Sequence, residues 1–134
     1  MAKSKGLSES CDATLRINGS NYEGSTGQGN GHAEMDALHN FIMSDPGGTG
    51  NVKLSIAACA KILKEASTPK AVYCPSRPCC LKCTTVLKGL KFKLASGTKW
   101  SEDSMGSTEW GVSMNVRTLL IACEIDYESV KGLS

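Results

Sequence analysis

The chain predicts a layered α/β domain. Three observations lead there: an early hairpin signal, apolar periodicity that alternates between helix-like and strand-like segments, and clusters of turn residues that separate those segments. At 134 residues, the chain 1–134 reads as a single domain, large enough for one hydrophobic core without disulfides. Apolar residues at 40% and charged residues at 21% are the balance of an ordinary globular protein.

The first ten residues are polar and are expected to be flexible. Ala13 to Asn18 alternates in polarity, and Asn18-Gly19 is a hairpin turn signal leading to a second short strand over Tyr22 to Ser25. Gly24 to Gly31 is a glycine-rich loop. No Gly-Lys-Ser/Thr follows it, so it is not a phosphate loop. His32 to Met43 predicts a helix, because Met35, Leu38, Phe41 and Ile42 recur at helical spacing. Asp45-Pro46-Gly47-Gly48 ends it.

Val52 to Ala66 predicts a second helix with a stripe of Leu54, Ala57, Ala58, Ile62 and Leu63, stopped by Pro69. Ala71 to Cys74 reads as a short buried strand. Cys80 to Leu87 begins a third helix, with Pro78 near its start and Gly89 at its end. Leu90 to Ala95 reads as a strand, and Ser96 to Val116 as a long functional loop holding both tryptophans. Arg117 to Ile125, with Leu119-Leu-Ile-Ala-Cys, is the most strand-like run and predicts a final strand.

The chain has 7 cysteines, an odd number, with Cys79, Cys80 and Cys83 crowded together. That pattern argues against a disulfide framework and for reduced thiols and a metal site. Cys59, Cys74 and Cys123 lie in apolar runs and read as small core residues. The formal net charge of +2 permits a nucleic-acid partner without demanding one. Lys82, Lys88, Lys91, Lys93 and Lys99 form a basic stretch, either a solvated face or a phosphate-facing patch. Met-Ala-Lys-Ser-Lys-Gly has charge but no apolar run behind it, so no signal peptide is expected. No run approaches the roughly 20 apolar residues of a membrane span, so no membrane partner is expected.

Two motifs carry the chemistry: His32-Ala33-Glu34, and Pro78-Cys79-Cys80-Leu81-Lys82-Cys83. Imidazole and thiolate suit zinc, and three protein ligands leave its fourth position open for water. Zinc lowers the pKa of that water toward ~7. Glu34, two residues from His32, suits an acid/base group that does not touch the metal. By spacing, Cys80 and Cys83 form the C-x-x-C pair on the first turn of a helix. Counting from the proline, Cys79 is the alternative first ligand. A closed structural zinc site would need a fourth protein ligand from Cys79 or His39. His39 sits about 10 Å along the helix from His32, too far for the same ion, and reads as a core or surface histidine.

The segments Gly31 to Leu38 and Val72 to Cys83 resemble the cytidine deaminase-like superfamily, whose H-x-E and P-C-x-x-C motifs serve zinc-dependent nucleobase deamination. The resemblance implies a three-layer α/β/α fold with a five-stranded mixed sheet. It also implies one catalytic zinc on His32, Cys80 (or Cys79) and Cys83, with Glu34 as the proton shuttle. Within the superfamily the chain looks most like the C-terminal deaminase toxin domains of bacterial polymorphic toxins. That likeness implies a domain delivered as part of a larger secreted toxin, acting in the cytoplasm of a target cell and blocked by an immunity protein.

The expected substrate is cytosine in single-stranded nucleic acid, DNA favoured over RNA. Asn30, Trp100 and Trp110 are the candidate substrate-binding residues, the tryptophans as stacking platforms. The alternatives are a free nucleoside or base deaminase, an RNA adenosine deaminase, and a zinc-stabilised binding module without catalysis.

Overall fold

The computed structural model describes residues 12–29, 31–74, 81–95 and 111–132. In chain order these form strands β1 (Asp12–Ile17) and β2 (Ser20–Ser25), helices α1 (Ala33–Met43) and α2 (Val52–Lys64), strand β3 (Lys70–Tyr73), helix α3 (Leu81–Gly89), strand β4 (Lys93–Leu94), and helices α4 (Met114–Ala122) and α5 (Tyr127–Lys131). The sheet order is β2-β1-β3-β4. The first two pairings are antiparallel and β3–β4 is parallel, with α3 as the crossover. The fold is therefore α/β with a mixed sheet, but of four strands among the described residues, where five were expected.

The β1–β2 turn is built as its sequence predicts. Asn18 (φ 53) and Gly19 (φ 87) both take positive φ, as a two-residue hairpin turn requires. The Asn18 amide donates to the Pro69 carbonyl at 2.9 Å, which ties the turn to the start of β3.

β1 alternates strictly. Ala13, Leu15 and Ile17 are buried, joined by Val72 of β3, while Thr14, Arg16 and Tyr73 on the other face are half-buried or exposed. Among the described residues, α1 packs on β1 and β2, and the buried side chains of β1 and β3 share one face of the sheet. The buried apolar side chains form one core, in which Phe41, Leu15, Met35, Leu38 and Leu119 are among the largest enclosed groups. Cys59, Cys74 and Cys123 are buried as expected.

α1 runs against β1 and β2 on one side and α2 and α4 on the other, and so buries Glu34 and Asp36 as well as its apolar stripe. On the sheet side it comes very close. A Cβ placed on Gly24 would fall 2.3 Å from both the Ala33 carbonyl oxygen and the Ala37 amide nitrogen. On α2 the stripe is rotated from the expected one. Ser55, Ile56, Cys59, Ala60 and Leu63 face inward, whereas Leu54 is 57% exposed. Ser55 can face the core because its hydroxyl donates to the Ile42 carbonyl at 2.7 Å.

The segment expected as a final strand is instead α4. Its buried residues Val116, Leu119, Leu120 and Cys123 recur at i, i+3, i+4 and i+7, the helical period, while Ile121 between them is 56% exposed. Ser113 caps it, accepting from the Val116 amide at 3.2 Å. α5 was not anticipated. Asp126 caps it, accepting from the Ser129 amide at 3.2 Å. Arg117 of α4 holds it from outside, stacking on the Tyr127 ring 4.8 Å from its centroid and pairing with Glu128 at 3.2 Å. No helix among the described residues is long and apolar enough to cross a membrane.

Gly24→Ala should cost on the order of 1–3 kcal/mol or more, because the obstructing atoms are helix backbone and cannot rotate away. Urea denaturation would show this as a lower midpoint with an unchanged slope.

Candidate metal and proton-transfer site

The site forms where the N-terminus of α1 meets the first turn of α3. Gly31 (φ 91) turns the chain into α1, and His32 follows in extended conformation (φ −68, ψ 166) as the N-cap residue. The His32 carbonyl accepts from the Asp36 amide at 2.9 Å, but its imidazole makes no capping bond. The ring Nδ1 lies 3.6 Å from the Sγ of Cys83, a residue 51 positions away and fully enclosed on α3.

That separation fits a shared metal. Zinc bonds of about 2.0–2.1 Å to nitrogen and about 2.3 Å to sulfur, set at the tetrahedral angle, place the two donors about 3.6 Å apart. The donor chemistry, one imidazole and one thiol, also suits zinc. The remaining cysteines, Cys79 and Cys80, lie outside the described residues, as do Asn30, Trp100 and Trp110. Among the described residues no group of three His, Cys, Asp or Glu side chains is placed to hold a metal ion.

Glu34 is in the first turn of α1 and is 4% exposed. No hydrogen bond or ion pair reaches its carboxylate among the described residues. A buried carboxylate without a partner costs several kcal/mol after relaxation, and native structures tolerate one mainly where function requires it. Two residues on, Asp36 is equally buried but satisfied. Its Oδ2 accepts from the Ser25 amide at 2.9 Å and pins α1 to the end of β2. One buried acid thus tethers the helix while its neighbour is left uncommitted.

His39 is not brought to this site. Its Nδ1 lies 3.1 Å from Ser113 Oγ, the group that caps α4. Two features that sequence reasoning passed over therefore position the site: the Asp36 tether, visible only as the acid after Met35, and Ser113 at the head of α4. The segment leading into α4 also borders the site directly. The Gly111 carbonyl and the Val112 Cα lie 3.4 Å from where a Cβ on Gly31 would sit.

The basic stretch does not act as one patch. Lys82 is 9% exposed on the first turn of α3, whereas Lys88 in its last turn lies beside Lys91, whose amide donates to the Lys88 carbonyl at 3.0 Å, with Lys93 following in β4. The length of α3 separates Lys82 from the other three. Lys99 is outside the described residues.

Comparison with family models, with curated proteins and with solved structures returned no match to this chain. The reading of the site accordingly rests on its own chemistry.

Purified chain should carry about one zinc ion, and His32→Ala or Cys83→Ser should abolish tight binding, since a three-ligand site does not survive loss of a ligand. Metal analysis of Cys79→Ser and Cys80→Ser separately should show loss in one and retention in the other, which identifies the third ligand.

Proposed function

We propose that the chain is a zinc-dependent hydrolase that deaminates cytosine to uracil in single-stranded nucleic acid, DNA ahead of RNA. The observation that carries this is the buried Glu34, with no hydrogen-bond or ion-pair partner among the described residues, two positions from the His32 of an imidazole–thiol pair at zinc-bridging separation. A structural zinc site has no use for such a carboxylate, whereas hydrolytic deamination needs a proton carrier held beside the metal and off it.

Zinc bound by His32, Cys83 and Cys80 or Cys79 would supply an acidified water near neutral pH. Glu34 takes a proton from the attacking water and delivers it to N3 of the ring as the C4–O bond forms. Glu34 then carries the second proton to the exocyclic nitrogen. The C4–N bond breaks, ammonia leaves and uracil remains. Burial of Glu34 keeps bulk water from competing for these protons. Asp36 and Gly24 hold α1 in place, so that Glu34 and His32 keep a fixed relation through the cycle.

The polymer assignment rests on Trp110, which directly precedes the Gly111 that packs against Gly31, and on Trp100 and Asn30 as further substrate contacts. The base must be exposed or flipped for attack. In its biological setting the domain acts as a toxin in a target cell, with an immunity protein as its inhibitor.

Glu34→Gln should keep zinc content and fold while activity falls by roughly 10²–10⁴, the usual contribution of a positioned proton carrier. Its stability should be equal to or above that of the parent, because the change removes an unpaired buried charge. Product sequencing and ammonia release on single-stranded DNA, duplex DNA, RNA and cytidine would rank the substrates. Full activity in Glu34→Gln, or activity on cytidine alone, would overturn the reading.

A further inference from the structure

A second unbalanced charge lies at the other end of the sheet. Lys70, the first residue of β3, is 7% exposed, and its Nζ donates to the Leu63 carbonyl in the last turn of α2. The C-terminus of a helix offers about half an elementary charge, which compensates the ammonium only in part. No carboxylate pairs with it among the described residues. The nearby thiol of Cys123 does not serve, since burial pushes it up to about 11 and keeps it protonated at neutral pH. Burial lowers the Lys70 pKa, and the neighbouring charge of Lys91 lowers it further.

Lys70 lines a cavity of about 910 Å³ that it shares with Arg16, Lys64, Lys91 and Lys93. Glu124 is the one acid in that lining, and it is already engaged, 3.6 Å from Lys64. Five cationic residues therefore border a concavity with one carboxylate, Arg16 and Lys93 from the sheet face that carries Ala71, and Lys70 from the face that carries Ile17. Its volume falls within the range of small-ligand pockets, about 300–1,000 Å³. On the rim the hydroxyls of Ser67 and Thr68 make no hydrogen bonds among the described residues. Surface lysines normally spread apart to limit repulsion. Holding four of them and an arginine around one cavity, with one of them buried, leaves a counter-anion to be supplied from outside.

We propose that this cavity binds a nucleotide-sized phosphorylated ligand, with Lys70, Lys91 and Lys93 among the residues that hold it. Lysine ammonium groups suit phosphate oxygens as point charges. The site is separate from Glu34 and His32 and does not depend on the reaction assigned to them.

The test is thermal unfolding and calorimetric titration of the intact chain with sodium pyrophosphate, a nucleoside triphosphate, and a single-stranded oligonucleotide without terminal phosphates. Sodium chloride at matched ionic strength is the control for screening. Saturable binding of pyrophosphate or nucleotide is expected at roughly millimolar or tighter affinity. Lys70→Met, which removes a buried charge and keeps side-chain length, should fold as well as the parent and bind about tenfold or more weakly. Lys91→Glu, on the cavity wall and exposed, should weaken binding similarly and covers the case in which Lys70→Met misfolds. Binding undiminished in both variants, or stabilisation no larger than sodium chloride gives, overturns the proposal. So does Lys70-dependent binding of the oligonucleotide without binding of the small phosphates.

Discussion

The close approach of α1 to β2 is the constraint on which the rest of this structure depends. The Cβ that Gly24 lacks would stand 2.3 Å from helix backbone, so the helix can seat only because that position is glycine. The Asp36 carboxylate then accepts from the Ser25 amide one residue along and sets the helix's rotation as well as its distance. With position and rotation fixed, His32 at the N-cap and Glu34 in the first turn have no freedom to wander. The 3.6 Å meeting of His32 with Cys83 follows from two rigid elements, α1 on the sheet and α3 in the β3–β4 crossover. Rigid elements place donors more reproducibly than loops do, which is what a metal site of fixed geometry needs.

Glu34 and Asp36 show how one helix can carry two buried acids with different roles. Both are 4% exposed. Asp36 has a backbone donor and serves the fold. Glu34 has none among the described residues, so the role proposed for it is chemical rather than structural.

Much of the architecture was legible in the sequence, and the failures have physical causes. Asn18-Gly19 specified its hairpin because few residue pairs adopt two successive positive φ values. α1, α2, β3 and α3 followed from periodicity bounded by strong turn residues. α4 did not, because Leu119-Leu-Ile-Ala-Cys is continuously apolar and a short apolar run has no period of its own. Its helical state depends on Ser113 capping it and on Ile121 facing solvent, both tertiary outcomes. The α2 stripe was misplaced because Leu54 looks like a core residue, yet Ser55 faces inward once Ile42 offers it a carbonyl. In the site, the pairing of His32 with Cys83 was legible from residue type and spacing. The isolation of Glu34 was not, since whether an acid has a partner is a property of the packed molecule. The choice between Cys79 and Cys80, and the surroundings of Asn30, Trp100 and Trp110, lie outside the described residues.

The buried ionisable groups of Glu34 and Lys70 do not answer each other. Glu34 sits one residue from Ala33, which abuts Gly24, and Gly24 pairs with Ala13. Lys70 pairs with Ile17 at the other end of β1. Four residues of strand separate those pairings, about 13 Å. At an effective dielectric of about 20, opposite unit charges that far apart attract by about 1 kcal/mol. Burying a charge with no opposite charge beside it costs several kcal/mol. Their mutual attraction is too weak to account for either, so each needs a partner of its own. At the α1 end the proposed answer is a proton-carrying role for Glu34 in a metal-assisted hydrolysis. At the β3 end the proposed one is an anion bound in the cavity that Lys70 lines with Lys91 and Lys93.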